Sequence, residues 1–176
     1  MAIIDQPTAV TWRADLWRCL ACGGPMHEEP TGPACESCGH AYPVRDGIVI
    51  AREETSSNNE VARGFYDGPL WPKFRFWEWF TFINLGGERR ARDKVLRHLP
   101  AGERLKLLDV AIGDGVYLDW LPPSWSVVGV DISRVQLAAC GRRAGGRDVA
   151  LVLGEAEALP VRDGRFDAAL SIGGFN

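Results

Sequence analysis

The stretch from residue 105 to residue 133, LKLLDVAIGDGVYLDWLPPSWSVVGVDIS, constrains the fold more than any other part of the chain. Its first apolar run, 105–110, predicts a buried strand, and a glycine-containing turn at 111–115 follows. A short helical segment then ends at a Pro-Pro pair, since proline lacks the N–H that a helix needs. A second apolar run, 127–130, ends on Asp131. This order of strand, glycine turn, helix, strand and acid is typical of a parallel β–α–β unit that binds a nucleotide-like cofactor.

The residues of this unit also indicate which kind of cofactor it binds. Gly113 and Gly115 let the backbone come close to a ligand, and Asp131 is placed to accept hydrogen bonds from both ribose hydroxyls. A dinucleotide fingerprint would need glycine where the chain has Leu118, and no phosphate-binding P-loop sequence is present. Asp109, which closes the first strand, instead suits a cofactor with a cationic amino-acid end and no phosphate.

The pattern resembles class I S-adenosylmethionine-dependent methyltransferases over roughly residues 60–176. The first motif of that family, acid-x-G-x-G-x-G, is matched from Asp109 to Gly115, with Ala111 in the first glycine place. The segment 154–160, GEAEALP, resembles the family's GDAEALP, and the segment 166–171, FDAALS, resembles its FDxVxS. The resemblance implies an α/β fold, the N-terminal half of a Rossmann-like parallel sheet with about four strands.

The same resemblance implies a cofactor-binding role for ten residues and S-adenosylmethionine as the cofactor. The family places its acid and glycine turn around the methionine end, its second acid on the ribose, its third acid near the adenine amino group and its fourth strand at the transfer site. The positions that match are Asp109, Ala111, Gly113, Asp114, Gly115, Asp131, Ile132, Glu155, Ala156 and Ser171. Residues 171–176 do not spell the N-P-P-[YF] motif of enzymes that methylate exocyclic or amide nitrogens. No residue stands out as a catalytic base.

Four cysteines near the N-terminus predict a metal site. Cys19-x-x-Cys22 and Cys35-x-x-Cys38 form two knuckles, each followed by glycine, and this spacing can direct four thiolates at one tetrahedral zinc ion. Two disulfides would fit a secreted protein instead. With four protein ligands the zinc would be structural, and we expect no chemistry at the metal.

The segment after the second knuckle, 42–50, reads YPVRDGIVI, with Asp46-Gly47 as a turn between short strands. It resembles the zinc ribbons that precede some bacterial methyltransferases, including rRNA guanine methyltransferases. It is also similar to small partner proteins that activate tRNA and protein methyltransferases. We therefore expect a zinc ribbon over residues 1–50.

The segment 51–100 is predicted to be a linker followed by an aromatic-rich helical lid. Residues 52–60 are polar without periodicity, and nine aromatic residues follow between 65 and 82. These aromatics either pack a helix layer onto the sheet or cover the cofactor and acceptor pocket. An interfacial membrane helix is a third interpretation, which the mixed charges do not favour. Residues 88–99 predict an amphipathic helix whose arginines form a solvated face.

The segment 101–176 is expected to form the N-terminal half of the methyltransferase domain. Ser133 is a predicted N-cap for a helix over 134–144, with Cys140 as a buried thiol, and strands are predicted at 149–153 and 166–172. Since family members usually continue with three more strands, we expect the chain to be part of a longer protein. Otherwise a partner chain would have to cover the edge of the fourth strand.

Composition sets broad limits on partners and location. The chain is 46% hydrophobic and 24% charged, with a net charge of −3, so the overall charge gives no case for nucleic-acid binding. No apolar run reaches the roughly 20 residues that span a bilayer. The first ten residues lack the features of a signal peptide, and a cytoplasmic location is the default expectation.

Three hypotheses for function follow. The first is a methyltransferase acting on a small aromatic or lipophilic acceptor, resembling the quinone-type group, and it is favoured by the aromatic segment and the acidic balance. The second is an rRNA methyltransferase, favoured by the predicted zinc ribbon and the YPVRDGI segment. The third is a non-catalytic zinc-ribbon module with a half-sheet that docks on another protein.

Overall fold

The computed structural model describes residues 13–84 and 86–172. Within them the strands are β1 (Met26–Glu29), β2 (Gly32–Cys35), β3 (Val44–Arg45), β4 (Ile48–Ile50), β5 (Lys106–Val110), β6 (Ser126–Asp131), β7 (Val149–Leu153) and β8 (Ala168–Ser171). The α-helices are α1 (Ser57–Asp67), α2 (Trp71–Asn84), α3 (Glu88–Leu96) and α4 (Arg134–Ala144), and two 3₁₀ helices span Ala14–Leu16 and Val116–Trp120. None of the helices in the described ranges is both long and apolar enough to cross a membrane.

The main sheet has six strands in the order β3-β4-β7-β6-β5-β8, and β1 with β2 forms a separate two-stranded sheet. All neighbours in the main sheet pair in parallel except β3 and β4, which form an antiparallel hairpin. The fold is therefore α/β with a mostly parallel, Rossmann-like sheet. The four strands that the sequence predicted for this sheet are β5 to β8. The β3–β4 hairpin, which follows the cysteine-containing segment, adds two more strands beside β7.

Both faces of the sheet are covered, which explains why its strands are almost continuously apolar. On one face Leu107, Val127 and Leu151 pack with buried residues of α4 such as Leu137. The alternate strand residues pack on the other face against the N-terminal segment, including Trp17, Met26 and Tyr42. The cysteine-containing segment is thus one of the two layers that bury the sheet.

Local sequence signals place α4 and β7 where they were predicted. Ser133 caps α4, because its Oγ accepts a hydrogen bond from the Gln136 N–H at 3.0 Å. β8 is shorter than the predicted 166–172 strand. Asp167 lies just before it, and its Oδ2 accepts from the Lys106 N–H at 2.8 Å. The side chain of Asp167 thus ties the segment before β8 to the start of β5.

The predicted linker over 52–60 is corrected by the structure, because α1 begins at Ser57. The first turn of α1 docks on the loop after β7: Asn59 Nδ2 donates to Glu155 Oε1 at 3.0 Å. This tertiary contact stabilises a helical turn that has no apolar periodicity of its own. The predicted domain boundaries at residues 50 and 100 stay predictions. β4, which precedes the first boundary, pairs with β7 of the main sheet.

Candidate functional site

A cavity of about 1040 Å³ lies at the carboxyl ends of β5 and β6. Its floor is the sheet end and the glycine turn, and its walls come from α1, α2, α3 and the loop after β7. Ligands of open parallel sheets bind at this end of the strands. The volume is at the upper end of the roughly 300–1,000 Å³ that is common for small-molecule pockets.

Two buried carboxylates end the central strands at this floor. Asp109 and Asp131 are 4% and 8% exposed. Asp131 Oδ2 accepts a hydrogen bond from the Gly113 N–H and its Oδ1 accepts one from the Ser133 N–H, both at 2.8 Å. The Asp131 side chain therefore ties the glycine turn to the start of α4.

Burial makes both carboxyl groups hold their protons more tightly than usual. Desolvation, followed by the charge of Asp131, raises the Asp109 pKa from 3.8 to about 7. Desolvation also raises the pKa of Asp131, although hydrogen bonds from the backbone of Ser133 and Gly113 oppose the rise. Two neighbouring acids of this kind favour a cationic ligand, since an opposite charge stabilises their ionised forms.

The two glycines of the turn have different roles. Gly113 has φ +57°, and a Cβ built on it would meet no atom within 4 Å, so its backbone faces open space in the cavity wall. A Cβ on Gly115 would lie 2.5 Å from the Sγ of Cys140. Gly115 thus lets α4 pack closely below the turn, and Cys140 is the buried thiol that was predicted.

Aromatic side chains form much of the opposite wall. Tyr66, Trp71 and Phe82 line the cavity from α1 and α2, and Tyr117 lines it beside the glycine turn. The rings of Tyr66 and Trp71 meet edge to face with centroids 4.8 Å apart. A wall of this kind favours the binding of planar or lipophilic ligands.

Arg92 is a wall residue that the sequence interpretation placed wrongly. It was expected on a solvated face of α3, but it is only 3% exposed and lines the cavity. Its guanidinium lies 4.7 Å from the ring centroid of Tyr117 and 5.5 Å from that of Phe82. Nε and Nη2 donate to Oε1 of Glu88 at 2.9 and 2.6 Å. The Glu88–Arg92 spacing of one helical turn was the available signal, whereas the aromatic partners were not predictable from it.

The four N-terminal cysteines meet at one point, as predicted. Their sulfur atoms all lie within 4.8 Å of one another, with Cys19–Cys38 at 3.8 Å and Cys22–Cys35 at 3.5 Å. Sulfur ligands about 2.3 Å from a tetrahedral zinc would be about 3.8 Å apart. These distances fit a zinc site and are too long for disulfide bonds.

Comparison with known proteins finds a family similarity in the C-terminal part of the chain. Residues 107–176 match the family model described as "Methyltransferase domain". The match covers 70 of the 176 residues, and over this stretch the chain is similar to that methyltransferase-domain family. The matched residues contain the glycine turn, both buried acids and the strands β6 to β8 of the main sheet, so the family match and the cavity floor coincide.

No curated protein matches the chain. Among solved structures, the YcgJ protein of Bacillus subtilis is similar with a TM-score of 0.45 and 20% identity, covering 49% of this chain. Phosphoethanolamine N-methyltransferase 2 of Haemonchus contortus, solved in complex with S-adenosyl-L-methionine, is similar with a TM-score of 0.46 and 17% identity, covering 83% of this chain. The chain spans 39% of the length of each of these structures.

Most of the predicted cofactor-binding residues of the methyltransferase domain line the cavity. They are Asp109, Ala111, Gly113, Asp114, Asp131, Ile132 and Ala156. Gly115, at the end of the turn, packs against Cys140 and does not line the cavity. Ser171 is exposed at the end of β8, and its neighbour Ile172 is the residue that lines the cavity. Residues 173–176, which were expected to face the transfer site with Ser171, lie outside the described residues.

Glu155 has a different environment from the one expected for an adenine contact. Its carboxylate accepts from the Ser56 N–H at 2.6 Å and from Asn59 at 3.0 Å, and it forms an ion pair with Arg52 at 2.9 Å. Burial works to raise the Glu155 pKa, but the hydrogen bonds from Asn59 and Ser56 and the charge of Arg52 together lower it. In this structure Glu155 fastens α1 to the methyltransferase domain, and its role toward a cofactor stays a prediction.

Proposed function

We propose that the cavity of the methyltransferase domain binds S-adenosylmethionine and that the protein transfers its methyl group to an acceptor. The observation that carries the proposal is the pair of buried acids, Asp109 and Asp131, beside the open backbone of Gly113. The family match over 107–176 supports it.

The cavity floor fits the cationic part of this cofactor. S-adenosylmethionine supplies an electrophilic methyl group on a sulfonium, and its amino-acid end carries an ammonium. Asp109 would attract the ammonium, and the ammonium would in turn favour ionised Asp109. Each oxygen of Asp131 accepts one backbone N–H and has further acceptor capacity, which suits the ribose hydroxyls.

The aromatic wall supports a small aromatic or lipophilic acceptor. Tyr66, Trp71 and Phe82 would hold such a molecule by apolar contact and exclude water from the transfer. Because methyl transfer from a sulfonium is an in-line displacement, holding two reactants in line supplies a large part of the rate. We assign no catalytic base.

The alternative, an rRNA base as acceptor, is favoured by the four-cysteine cluster and the YPVRDGI segment. The charge of the ribbon does not favour RNA, because residues 13–50 carry three basic and five acidic side chains. The third hypothesis, a non-catalytic module, predicts a folded chain that has no affinity for the cofactor.

We propose that Cys19, Cys22, Cys35 and Cys38 hold a structural Zn²⁺. Cys19 and Cys35 are buried, and the segment between the two knuckles packs on the second face of the sheet. A zinc ion would therefore stabilise one of the layers that bury the main sheet.

Two further expectations stay predictions. β8 is the outermost strand of the described sheet on the β5 side, and a partner chain would cover it. A cytoplasmic location is the second.

Photochemical crosslinking with methyl-labelled S-adenosylmethionine tests the proposed function. We expect label in peptides that contain the glycine turn or the start of α4, with competition by unlabelled cofactor and none by NAD. Asp163→Ala, in an exposed turn, is the matched control for Asp131→Ala and should retain the label. Label confined to other peptides, or equal labelling of both variants, would contradict the proposal.

A further inference from the structure

Helix α2 presents apolar side chains on two sides. Trp71 and Phe82 face the cavity. About half a turn away around the helix lies a second set, which we call the outer face of α2. Its members are Phe76, Trp77, Phe80 and Ile83, which are 60%, 64%, 50% and 52% exposed, respectively.

The outer face is a contiguous apolar surface. The rings of Trp77 and Phe80, which are three residues apart, lie 6.2 Å from each other, as expected for neighbours on successive helical turns. The rings of Phe76 and Trp77, which are adjacent in the sequence, lie 6.1 Å apart. These rings contact one another and still expose half or more of their surface. A helix that is apolar on opposite sides is normally buried on both, and exposed apolar patches mark interaction sites.

The segment that contains this face is rich in basic residues, whereas the rest of the chain is acidic. Residues 71–97 contain seven basic and three acidic residues, which leaves thirteen basic and twenty acidic residues elsewhere. Lys73 is exposed one turn before Trp77, on the same side of α2. Arg89 and Arg90 are exposed on the first turn of α3, which follows the end of α2 directly. The charge is therefore complementary to an anionic partner.

We propose that the outer face of α2 docks on the surface of an anionic phospholipid bilayer. The mixed charges of the segment did not favour this interpretation from the sequence alone, but the structure exposes the apolar outer face together with Lys73. Tryptophan and phenylalanine insert at the boundary between headgroups and acyl chains, and neighbouring cations are attracted to anionic headgroups. A second copy of the chain is the competing occupant, and the measurements below distinguish it from a bilayer. RNA fits less well because Ile83 offers no ring for base stacking. The docking does not depend on the proposed methyl transfer.

Vesicle flotation of the full 176-residue chain tests this. We expect binding to vesicles of phosphatidylcholine mixed with phosphatidylglycerol, weak binding to phosphatidylcholine alone, and loss of binding as salt is raised. The double variant Trp77→Ser, Phe80→Ser should reduce the partition coefficient by at least about tenfold, and Lys73→Glu should reduce it on the anionic vesicles only. Val135→Ser, at an exposed apolar residue of α4, and Arg142→Glu, at an exposed cation, are the matched controls and should leave it unchanged.

A second measurement avoids any effect of the serine variants on folding. Brominated lipids quench tryptophan that enters the bilayer, so quenching should fall in Trp77→Phe and persist in Trp120→Phe. Failure of the wild type to bind either kind of vesicle would overturn the proposal. So would a Trp77-dependent dimer in light scattering without lipid, or RNA that binds this face and displaces the vesicles.

Discussion

The backbone N–H of Gly113 donates a hydrogen bond to Oδ2 of Asp131 at 2.8 Å. The other oxygen of Asp131 accepts from the Ser133 N–H, so this one side chain links β6, the glycine turn and the start of α4. The acid that we assign to cofactor binding thus also builds the cavity floor.

Replacement of Asp131 by alanine should therefore lower stability. The change leaves two inward-facing N–H groups without their acceptor, which costs about 1–3 kcal/mol for a buried group. Urea unfolding monitored by circular dichroism measures the loss. Asp163→Ala removes an exposed acid and should be neutral, and equal stability of Asp131→Ala and the wild type would show that these hydrogen bonds contribute little.

Asp109 should make stability depend on pH around neutrality. Its pKa is raised from 3.8 to about 7 by burial and by the charge of Asp131, so the folded state binds this proton more tightly than the unfolded state. The stabilisation of the folded state by this bound proton is fully present below the Asp109 pKa of the unfolded chain. It is lost as pH rises through the Asp109 pKa of the folded state. A shift of this size corresponds to about 4 kcal/mol.

Asp109→Asn should abolish that part of the pH dependence. Urea unfolding at about pH 5 and about pH 8 would show a smaller difference for Asp109→Asn than for the wild type. Asp163→Asn is the control and should retain the wild-type difference. The same pH dependence in Asp109→Asn and the wild type would contradict the assignment of a shifted pKa to Asp109.

The alanine in the first glycine place of the turn carries backbone strain. Ala111 has φ +62°, a conformation that costs roughly 1–2 kcal/mol for a residue with a Cβ. Ala111→Gly should therefore raise the free energy of unfolding by up to about 1 kcal/mol, after the larger entropy loss of glycine is subtracted. Ala138→Gly within α4 is the opposite control and should destabilise by about 1 kcal/mol. A loss of stability in Ala111→Gly would refute the strain.

Zinc removal should destabilise the layer on the second face of the sheet. We expect a single zinc ion per chain by mass spectrometry under native conditions, and a lower unfolding temperature after chelation. Cys35→Ala should lose the metal, whereas Cys140→Ala, which replaces a thiol outside the cluster, should retain it. A 176-residue chain that is folded without metal and unaffected by chelator would argue against a structural zinc.

Local patterns were sufficient to predict the centre of the fold. β6, α4 and β7 follow from apolar runs and from the Ser133 cap, which are short-range signals. The pairing of β4 with β7 was not predictable, because it joins segments about a hundred residues apart and depends on non-local contacts. The burial of Arg92 and the contacts of Glu155 with α1 were not predicted for the same reason. Their partners, Tyr117 for Arg92 and Asn59 for Glu155, lie far away in the sequence.

Calorimetric titration of the folded chain with S-adenosylmethionine tests the central claim most directly. The wild type and Asp163→Ala should bind with micromolar affinity, and Asp131→Ala, kept below its unfolding transition, should lose detectable binding. No binding by a folded, zinc-loaded wild type, or equal affinity in Asp131→Ala, would contradict the assignment of this cavity to the cofactor.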